Sequence, residues 1–282
     1  MPDASAPVAL VTGASTGIGR ATAFLLPRAG YRTYATVRTP EAEASLRAEA
    51  AGTPLEILRA DFAREADVGE AVRRVRASEG RIDALVNNAG YAQLGAVEDL
   101  PRDVVRRQFE VNVFGAVQAC REVLPTMRAQ RAGRIVNVSS LAGRVSVPFM
   151  GAYCASKFAL EAFSDALRIE AKPFGVRVAI VEPGPVVTRF QRRALESLPE
   201  VATGSSAYET IYESYRREFE TGAGATPGRV AHVILKALRA GHPRSRYRVR
   251  AVDAVAAGFT QVVPKGAMDP VLSRYMGLRK LG

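Results

Sequence analysis

A tyrosine and a lysine four residues apart form the part of the sequence best suited to acid–base chemistry. Tyr153 and Lys157 stand in the stretch YCASKFALEAF (153–163), inside a predicted helix over 152–172. Residues four apart in a helix lie on one face, so the ammonium group can act on the phenol. A free tyrosine has a pKa of about 10, and a nearby cation favours its phenolate. The pair predicts a proton donor or acceptor, and the alternative is two unrelated side chains on a helix surface.

A glycine-rich segment near the start of the chain could hold a phosphate group. Gly13, Gly17 and Gly19 separate an apolar run at 8–12 from a helical pattern that continues to Gly30. Glycines let backbone N–H groups approach a pyrophosphate, and the N-terminus of a helix adds partial positive charge. The spacing G-x-x-x-G-x-G differs from the commoner G-x-G-x-x-G. A dinucleotide site is therefore predicted, with an ordinary glycine-rich turn as the alternative.

The end of the second predicted strand, 31–38, indicates which dinucleotide is bound. Sites that prefer NAD carry an acid here, which accepts hydrogen bonds from a ribose hydroxyl. This strand ends instead at Arg38, and an arginine can pair bidentately with a 2′-phosphate. NADP(H) is predicted over NAD(H), with Ser15 adding a hydroxyl contact. The alternative for Arg38 is a solvated residue at a strand end.

Strands that alternate with helices predict the fold class. Apolar runs indicate strands within 8–12, 31–38, 54–62, 81–90, 133–140 and 175–184. The longest helical stretches between them cover 101–130 and 152–172. This alternation predicts an α/β fold with a doubly wound parallel sheet, a Rossmann fold, in which ligands bind beyond the carboxyl ends of the strands. The glycine loop and Arg38 both follow such ends.

The pattern changes at residues 189–226, which interrupt the alternation with helical sequence between Gly/Ser-rich joints. We expect one domain over 1–282, with 189–226 as a helical lid above the substrate. A plain surface excursion is the alternative.

Composition excludes several classes of protein. The chain has 282 residues, a formal charge of +11 and 48% hydrophobic residues. Its basic residues are scattered, apart from a denser stretch at 243–250, which argues against a dedicated nucleic-acid binder. No apolar run approaches the roughly 20 residues of a membrane span, and no signal-peptide pattern opens the chain. Two cysteines are too few for a disulfide framework, and the two histidines form no metal-ligand pattern with them, so a cytoplasmic protein without a metal is expected.

Six motifs together resemble one family of enzymes. TGASTGIG, NNAG, VNVFG, IVNVSS, YCASK and PGPVVT follow the order and approximate spacing of the short-chain dehydrogenase/reductase family over residues 8–188. The phrases YATVR, YCASKFALEAFSDAL and EPGPVVT resemble most the 17-beta-hydroxysteroid and retinol dehydrogenase-like branch. The resemblance implies an NADP(H)-dependent alcohol dehydrogenase or carbonyl reductase. It also implies a homodimer or homotetramer with contacts on helices 103–130 and 152–172.

The resemblance assigns catalytic roles to four residues. Tyr153 gives or takes the proton, and Lys157 supports it and holds ribose hydroxyls. Ser140, rather than Ser139, polarises the substrate oxygen. Asn112 orders a proton-relay water through its backbone near Lys157.

The predicted cofactor site combines the glycine loop and Arg38 with segments that the resemblance places after the third, fourth and sixth strands. Its residues are Gly13, Ser15, Thr16, Gly17, Ile18, Gly19, Arg38, Asp61, Phe62, Asn88, Ala89, Gly90, Tyr153, Lys157, Pro183, Gly184, Val186 and Thr188.

Apolar residues after Ser140 and at the start of the insertion predict the substrate pocket. The predicted contacts are Ser140, Val147, Met150, Tyr153 and Phe190. Such a pocket fits a hydrophobic ketone or secondary alcohol, and ordinary core packing is the alternative for some of these residues. A second hypothesis is a regulatory protein that binds NADP without catalysis. The complete set of four predicted catalytic residues argues against it.

Overall fold

A seven-stranded parallel sheet forms the centre of the structure, a computed structural model that describes residues 6–198, 206–218, 224–253, 255, 258, 265–275 and 278. The strand order is β3-β2-β1-β4-β5-β6-β7, and all neighbours are parallel. The strands are β1 Val8–Val11, β2 Arg32–Val37, β3 Leu55–Arg59, β4 Ala84–Asn87, β5 Gly133–Val138, β6 Val176–Glu182 and β7 Arg246–Arg248.

Helices connect the strands and cover both faces of the sheet. They are α1 Gly17–Arg28, α2 Pro40–Glu49, α3 Glu65–Glu79, α4 Arg102–Phe109, α5 Gly115–Gln130, α6 Gly151–Glu170, α7 Arg189–Glu196, α8 Glu209–Glu218, α9 Pro227–Arg239 and α10 Lys265–Tyr275. Among the described residues, no helix is both long and apolar enough to cross a membrane.

Alternate residues of the central strands feed two hydrophobic layers. In β1, Val8 and Leu10 pack in the cluster that contains side chains of α3 and α5. Ala9 and Val11 pack in the opposite cluster, with side chains of α1 and α9. A parallel strand covered by helices on both faces is buried throughout, and all four residues of β1 are fully buried. The doubly wound Rossmann architecture is therefore confirmed.

The strand order reverses between β1 and β4, and this reversal places the candidate site. The chain runs outward from β1 to β3, then returns to the other side of β1 with β4. Connections after the two central strands lead away from each other, which opens a crevice at their carboxyl ends. The glycine loop follows β1, and Asn88 follows β4.

The helical stretch predicted over 101–130 is interrupted by a wider turn. Helix α4 leads into a π turn, Glu110–Phe114, and α5 begins at Gly115. A Cβ on Gly115 would overlap the backbone carbonyl of Phe62, so the turn brings this helix unusually close to the loop after β3. Turns of this kind recur at functional sites, and Asn112 lies inside this one.

The seventh strand was missed by the sequence analysis. It lies in the basic stretch 243–250, where alternating arginines and a length of three residues hide the strand pattern. Three of the four arginines of this stretch pair with acids of the fold: Arg246 with Glu161, Arg248 with Glu182 and Arg250 with Asp253. The positive charges of these three arginines are therefore balanced within the protein.

The predicted insertion 189–226 contains α7 and α8, whereas its residues 199–205 and 219–223 lie outside the described residues. Helix α8 is tied to the loop after β4. The hydroxyl of Tyr212 donates a hydrogen bond to Asp99 (2.5 Å) and accepts one from the backbone N–H of Ala96 (2.7 Å). Ser206 also donates to Asp99 at 2.5 Å.

Candidate active site

The loops after β1 and β4 are joined by hydrogen bonds at the point where the strand order reverses. Thr12 Oγ1 accepts hydrogen bonds from the backbone N–H groups of Asn88 and Ala89, each at 2.9 Å. Asn88 Nδ2 donates to the carbonyl oxygens of Thr12 and Gly13, each at 3.0 Å. The predicted glycine loop and NNAG segment are thus one rigid unit.

Two glycines of the loop are required by close approaches. Gly13 has φ +67°, and a Cβ there would lie 2.6 Å from Ala89 Cα. A Cβ on Gly19 would overlap the carbonyl oxygen of Gly13 and Asn88 Nδ2. The absence of side chains therefore lets the first turn of α1 approach both loops, which leaves its N–H groups directed at the crevice.

The segment after β6 reaches the same place. Gly17 lies against Thr188, because a Cβ on Gly17 would be 3.2 Å from Thr188 Cγ2. Thr188 Oγ1 accepts a hydrogen bond from Phe190 N at 3.1 Å and so begins α7. Pro183 O accepts a hydrogen bond from Leu141 N at 3.0 Å, which joins this segment to the loop after β5.

Tyr153, Ser140 and Lys157 come together in the crevice. Tyr153 and Lys157 lie in the first two turns of α6, and each residue is 6% exposed. The hydroxyl of Ser140 lies close enough to the Tyr153 hydroxyl to act on the pKa of the phenol. Lys157 Nζ lies 5.9 Å from the centre of the Tyr153 ring and donates to Val138 O at 2.9 Å. Ser140, rather than Ser139, is the serine that meets the tyrosine.

Burial sets the pKa values of this group in the protein alone. It raises the pKa of Tyr153 to about 12, although the Ser140 hydroxyl acts in the opposite direction. It lowers the pKa of Lys157 to about 8, and the negative charge of Glu161 acts against this shift. The sequence analysis expected the lysine charge to lower the pKa of the phenol. In the protein alone, removal of the phenol from water dominates its pKa, and Lys157 is not among the groups that shift it.

Asn112 is fixed by three hydrogen bonds and is 1% exposed. Its Oδ1 accepts from Tyr91 N at 3.1 Å, and its Nδ2 donates to Tyr91 O at 3.0 Å. Nδ2 also lies 3.1 Å from the hydroxyl of Ser156, a residue of α6 between Tyr153 and Lys157. The asparagine therefore joins the π turn to the catalytic helix.

The side chains predicted to contact the adenosine part of the cofactor differ in their exposure to solvent. Arg38 is exposed at the end of β2 and forms no ion pair within the described part of the chain. Asp61 is half-buried, and its Oδ1 accepts from Ala63 N at 3.0 Å. The side chain of Phe62 is 6% exposed and packs in the core beneath α3 and α5, so it is not available as a side-chain contact for the cofactor.

The predicted substrate residues other than Ser140 form an apolar wall that includes the ring of Tyr153. The ring centres of Phe190 and Tyr153 are 5.6 Å apart. Val147 and Met150 are half-buried against the same cluster, which also contains Ile211 and Tyr212 of α8. Helices α7 and α8 thus contribute side chains to the apolar cluster that contains Tyr153.

Acidic residues behind the site were missed by the sequence analysis. Glu161 stands one helical turn after Lys157, inside the stretch from which only Tyr153 and Lys157 were selected. Asp253 is 1% exposed, and a Cβ on Gly184 would overlap its carboxylate. The spacing of Glu161 from Lys157 was the available signal, because residues four apart share a helix face.

Comparison with solved structures supports the fold and its cofactor class. A short-chain dehydrogenase from Streptomyces avermitilis has 32% sequence identity and a TM-score of 0.77, over 98% of this chain and 97% of that one. A metagenomic short-chain oxidoreductase in complex with NADP has 30% identity and a TM-score of 0.69, over 86% of this chain and 96% of that one. One from Burkholderia phymatum in complex with NAD, at 24% identity and a TM-score of 0.78, shows the fold alone.

Curated relatives include members of the branch that the motifs resemble. Human 17-beta-hydroxysteroid dehydrogenase type 1 is 38% identical over 252 residues, covering 85% of this chain and 76% of that protein. Bovine retinol dehydrogenase 8 is 34% identical over 282 residues (95% and 87%). The 3-ketodihydrosphingosine reductase of Bacteroides thetaiotaomicron is 34% identical over 279 residues (96% and 98%).

A sequence profile of the family described as short chain dehydrogenase matches residues 7–198, more than half of the chain. This match, the relatives and the parallel sheet agree with one another. The chain belongs to the short-chain dehydrogenase/reductase family of nicotinamide-dependent oxidoreductases.

Proposed function

We propose that this protein is an NADP(H)-dependent oxidoreductase that reduces a hydrophobic ketone to a secondary alcohol, or catalyses the reverse reaction. The observation that carries the proposal is the buried group of Ser140, Tyr153 and Lys157 beside the glycine loop. A bound nicotinamide supplies or accepts the hydride. The protein must then hold the substrate oxygen and exchange a proton with it.

Tyr153 exchanges that proton. In reduction, its hydroxyl gives a proton to the oxygen as the carbonyl carbon becomes an alcohol carbon. A phenol with a pKa of about 12 keeps its proton at neutral pH, which suits this direction. Ser140 donates a hydrogen bond to the same oxygen and stabilises the negative charge that develops there.

Lys157 acts as a cation behind the tyrosine. Its ammonium group favours the phenolate that remains after proton transfer. It lies within the cofactor crevice, where we propose that it also binds ribose hydroxyls. Asn112 supports the backbone of this region, and we propose that its π turn orders the water through which the proton is replaced.

The pocket wall favours an apolar substrate. Phe190 packs on Tyr153, and the surrounding cluster consists mostly of aliphatic and aromatic side chains. The relatives described above are named for a hydroxysteroid, a retinol and a ketodihydrosphingosine, all of which are largely apolar molecules with an alcohol or a ketone. We propose a substrate of this class, with the insertion 189–226 as its lid and 1–282 as one domain.

Two helices offer a surface for a second copy of the chain. Phe114, at the start of α5, is 50% exposed, and Phe163 and Ile169 of α6 are 47% and 64% exposed. We propose a homodimer or homotetramer that covers this surface.

Turnover with NADPH separates an enzyme from an NADP-binding regulator. We expect the protein to oxidise NADPH with apolar ketones, with kcat/KM rising as the apolar part of the ketone grows, because the pocket wall gains contact. Absorbance at the NADPH band with a series of ketones of increasing chain length measures this. Tight NADPH binding without turnover on the whole series would favour the regulator.

Substitution of Gly19 by alanine is expected to abolish dinucleotide binding. The new Cβ would overlap the Gly13 carbonyl and the Asn88 amide, so α1 must move away from the loop that presents its N–H groups. We expect the Kd for NADPH, measured by fluorescence titration, to rise at least about 100-fold, since the charge-assisted hydrogen bonds of two or more N–H groups are lost. Gly30→Ala is a matched control, because nothing lies within 4 Å of its Cβ position and it stands at the far end of α1. Gly30 has φ +90°, so any loss of stability should appear in melting and not in NADPH affinity.

A further inference from the structure

A network of buried charges lies one turn beyond Lys157. Arg246 Nη2 of β7 lies 2.9 Å from Glu161 Oε2 of α6, and Arg246 Nε lies 3.2 Å from Glu182 Oε1 at the end of β6. The side chain of Glu161 is 6% exposed, and that of Glu182 is fully buried. Arg248 also pairs with Glu182, at 3.1 Å. Two carboxylates are therefore held inside the protein beside the catalytic helix.

The contribution of these buried ion pairs to the stability of the fold is a weak reason for their presence. The cost of removing two carboxylates from water can exceed what their ion pairs return, and apolar residues of similar volume often serve as well. One oxygen of Glu161 is buried without a hydrogen-bond partner, which adds to that cost. An interaction with a second group, besides the ion pair with Arg246, would explain why a carboxylate stands at this buried position.

The negative charge of Glu161 can act on the ammonium group of Lys157. The two residues are four apart in α6, on one face of the helix. Within the described part of the chain, Lys157 forms no ion pair, and its Nζ is held by the carbonyl of Val138. Burial favours the neutral amine, and Glu161 supplies the opposing negative charge. Without that charge, the buried lysine would lose its proton more easily.

Glu161 also contacts the loop that carries Ser140. A Cβ on Gly143 would lie 2.8 Å from Ser139 Oγ and 3.1 Å from Glu161 Cγ, so the three residues are packed together. The glutamate therefore lies between the serine loop and the lysine turn. A change in the position of its carboxylate would therefore shift both the serine loop and the turn of α6 that carries Lys157.

The groups that face Glu161 come from four elements. Burial raises its pKa most, the Ser139 hydroxyl lowers it, Glu182 raises it, and Arg246 lowers it. Asp165 of α6 lies on the outer side of Arg246, with Nη2 to Oδ2 at 2.6 Å. Lys157 is faced by Tyr153 and Glu161 on α6 and by the Val138 carbonyl on β5. Arg246 is thus the cation that opposes the effect of burial on the pKa of Glu161.

We propose that Glu161 is a positioning residue that keeps Lys157 cationic, and that Arg246 of β7 keeps Glu161 ionised. Strand β7 thereby supplies a counter-charge to the catalytic helix from behind the site. The consequence for catalysis rests on the function proposed above for Lys157, whereas the charge coupling itself does not.

Titration of Lys157 in the protein alone tests the coupling. The chain has five lysines, so carbon-13 at the lysine Cε gives a short set of NMR signals, and Lys157→Arg assigns the one in question. We expect the wild-type Lys157 signal to titrate at about pH 8, because burial lowers the pKa of this lysine to about 8. In Glu161→Gln we expect it to titrate about one pH unit lower, because removal of an adjacent opposite charge shifts a pKa by that order. A titration that stays unchanged or moves upward would overturn the proposal.

Matched variants separate this coupling from general effects on the fold. Asp165→Asn removes another partner of Arg246 on the same helix but lies two turns from Lys157, so its Lys157 titration should match the wild type. Glu161→Asp keeps the charge and should restore most of the shift. If Glu161→Gln does not fold, Arg246→Gln serves instead, since it weakens the ionisation of Glu161 and should also lower the Lys157 titration. No shift in that variant counts against the proposal.

The pH dependence of turnover links the coupling to function. Activity that needs the ammonium form should be lost as the pH rises through the pKa of Lys157 in the free enzyme. In Glu161→Gln that limb of kcat/KM for NADPH should move about one unit lower, which is about a tenfold loss on the alkaline side. A wild type without turnover would refute the proposed function and leave the titration result standing. A wild type with an alkaline limb that Glu161→Gln does not move would refute the inference alone.

Discussion

Replacement of Tyr153 by phenylalanine is expected to lower kcat for ketone reduction by about 10³-fold, within the range that general acid–base catalysis contributes. The variant loses only the hydroxyl. Its ring can keep the contact with Phe190, whose centre lies 5.6 Å away, so the pocket and the fold should persist. NADPH affinity should stay within a few-fold, because the ring and Lys157 remain. Stopped-flow absorbance gives kcat, and fluorescence titration gives the Kd.

A second buried tyrosine offers a matched control. Tyr34 is 4% exposed, and burial raises its pKa to about 12, as it does for Tyr153. Its hydroxyl donates to Glu79 at 2.6 Å, on the face of the sheet that α3 covers. Tyr34→Phe should cost stability and leave turnover near the wild-type rate. If Tyr153→Phe retained more than a tenth of wild-type turnover, another group would have to supply the proton.

The sequence predicted that the candidate site residues lie together, but it did not predict their electrostatics. Motif spacing placed Tyr153 and Lys157 on one helix face and placed Ser140 at the end of β5. Spacing cannot give the degree of burial, which depends on the residues that pack around the site from elsewhere in the chain. Phe190 covers the phenol from the insertion, and this burial makes Tyr153 a stronger holder of its proton than the lysine alone would imply.

The sequence pattern of each strand also explains why β7 was not predicted. Strands β1 to β6 are apolar runs, which are typical of a parallel sheet buried on both faces. Strand β7 lies at the edge and alternates arginine with tyrosine, so its sequence is also that of a solvated basic loop. Its arginines are identified as structural only by their partners Glu161 and Glu182, which are more than 60 residues away in the chain. The same separation hid the pairing of Glu161 with Arg246, although the spacing of Glu161 from Lys157 was visible in the sequence.

The stretch 153–163 therefore contains more of the site than its tyrosine and lysine. Ser156 bonds Asn112 and so connects the π turn to α6. Glu161 connects the lysine turn to β7. Neither side chain is a proton donor of the predicted pair, and each instead connects α6 to a neighbouring element. Helix α6 is thus held by the π turn on one side and by β7 on the other.

We expect Arg38 to determine whether the protein prefers NADPH or NADH. The end of β2 is held against the glycine loop: Thr36 O accepts from Ala14 N at 2.8 Å, and Thr36 Oγ1 accepts from Gly13 N at 3.2 Å. Arg38 follows two residues later, exposed and without an ion pair in the described part of the chain. A guanidinium next to the glycine loop, with no acid among the described residues to neutralise it, is suited to a 2′-phosphate.

Substitution of Arg38 by aspartate should therefore reverse the preference. The carboxylate repels a 2′-phosphate and accepts hydrogen bonds from the 2′-hydroxyl of NADH. Loss of one charge-assisted contact and gain of another amount to about 4 kcal/mol, so the ratio of kcat/KM for NADPH to that for NADH should fall by about 10³-fold. Arg74→Asp, on the exposed face of α3, makes the same change in net charge and should leave the ratio unaltered. A ratio that Arg38→Asp does not change, or a wild type that prefers NADH, would show that Arg38 does not read the 2′-phosphate.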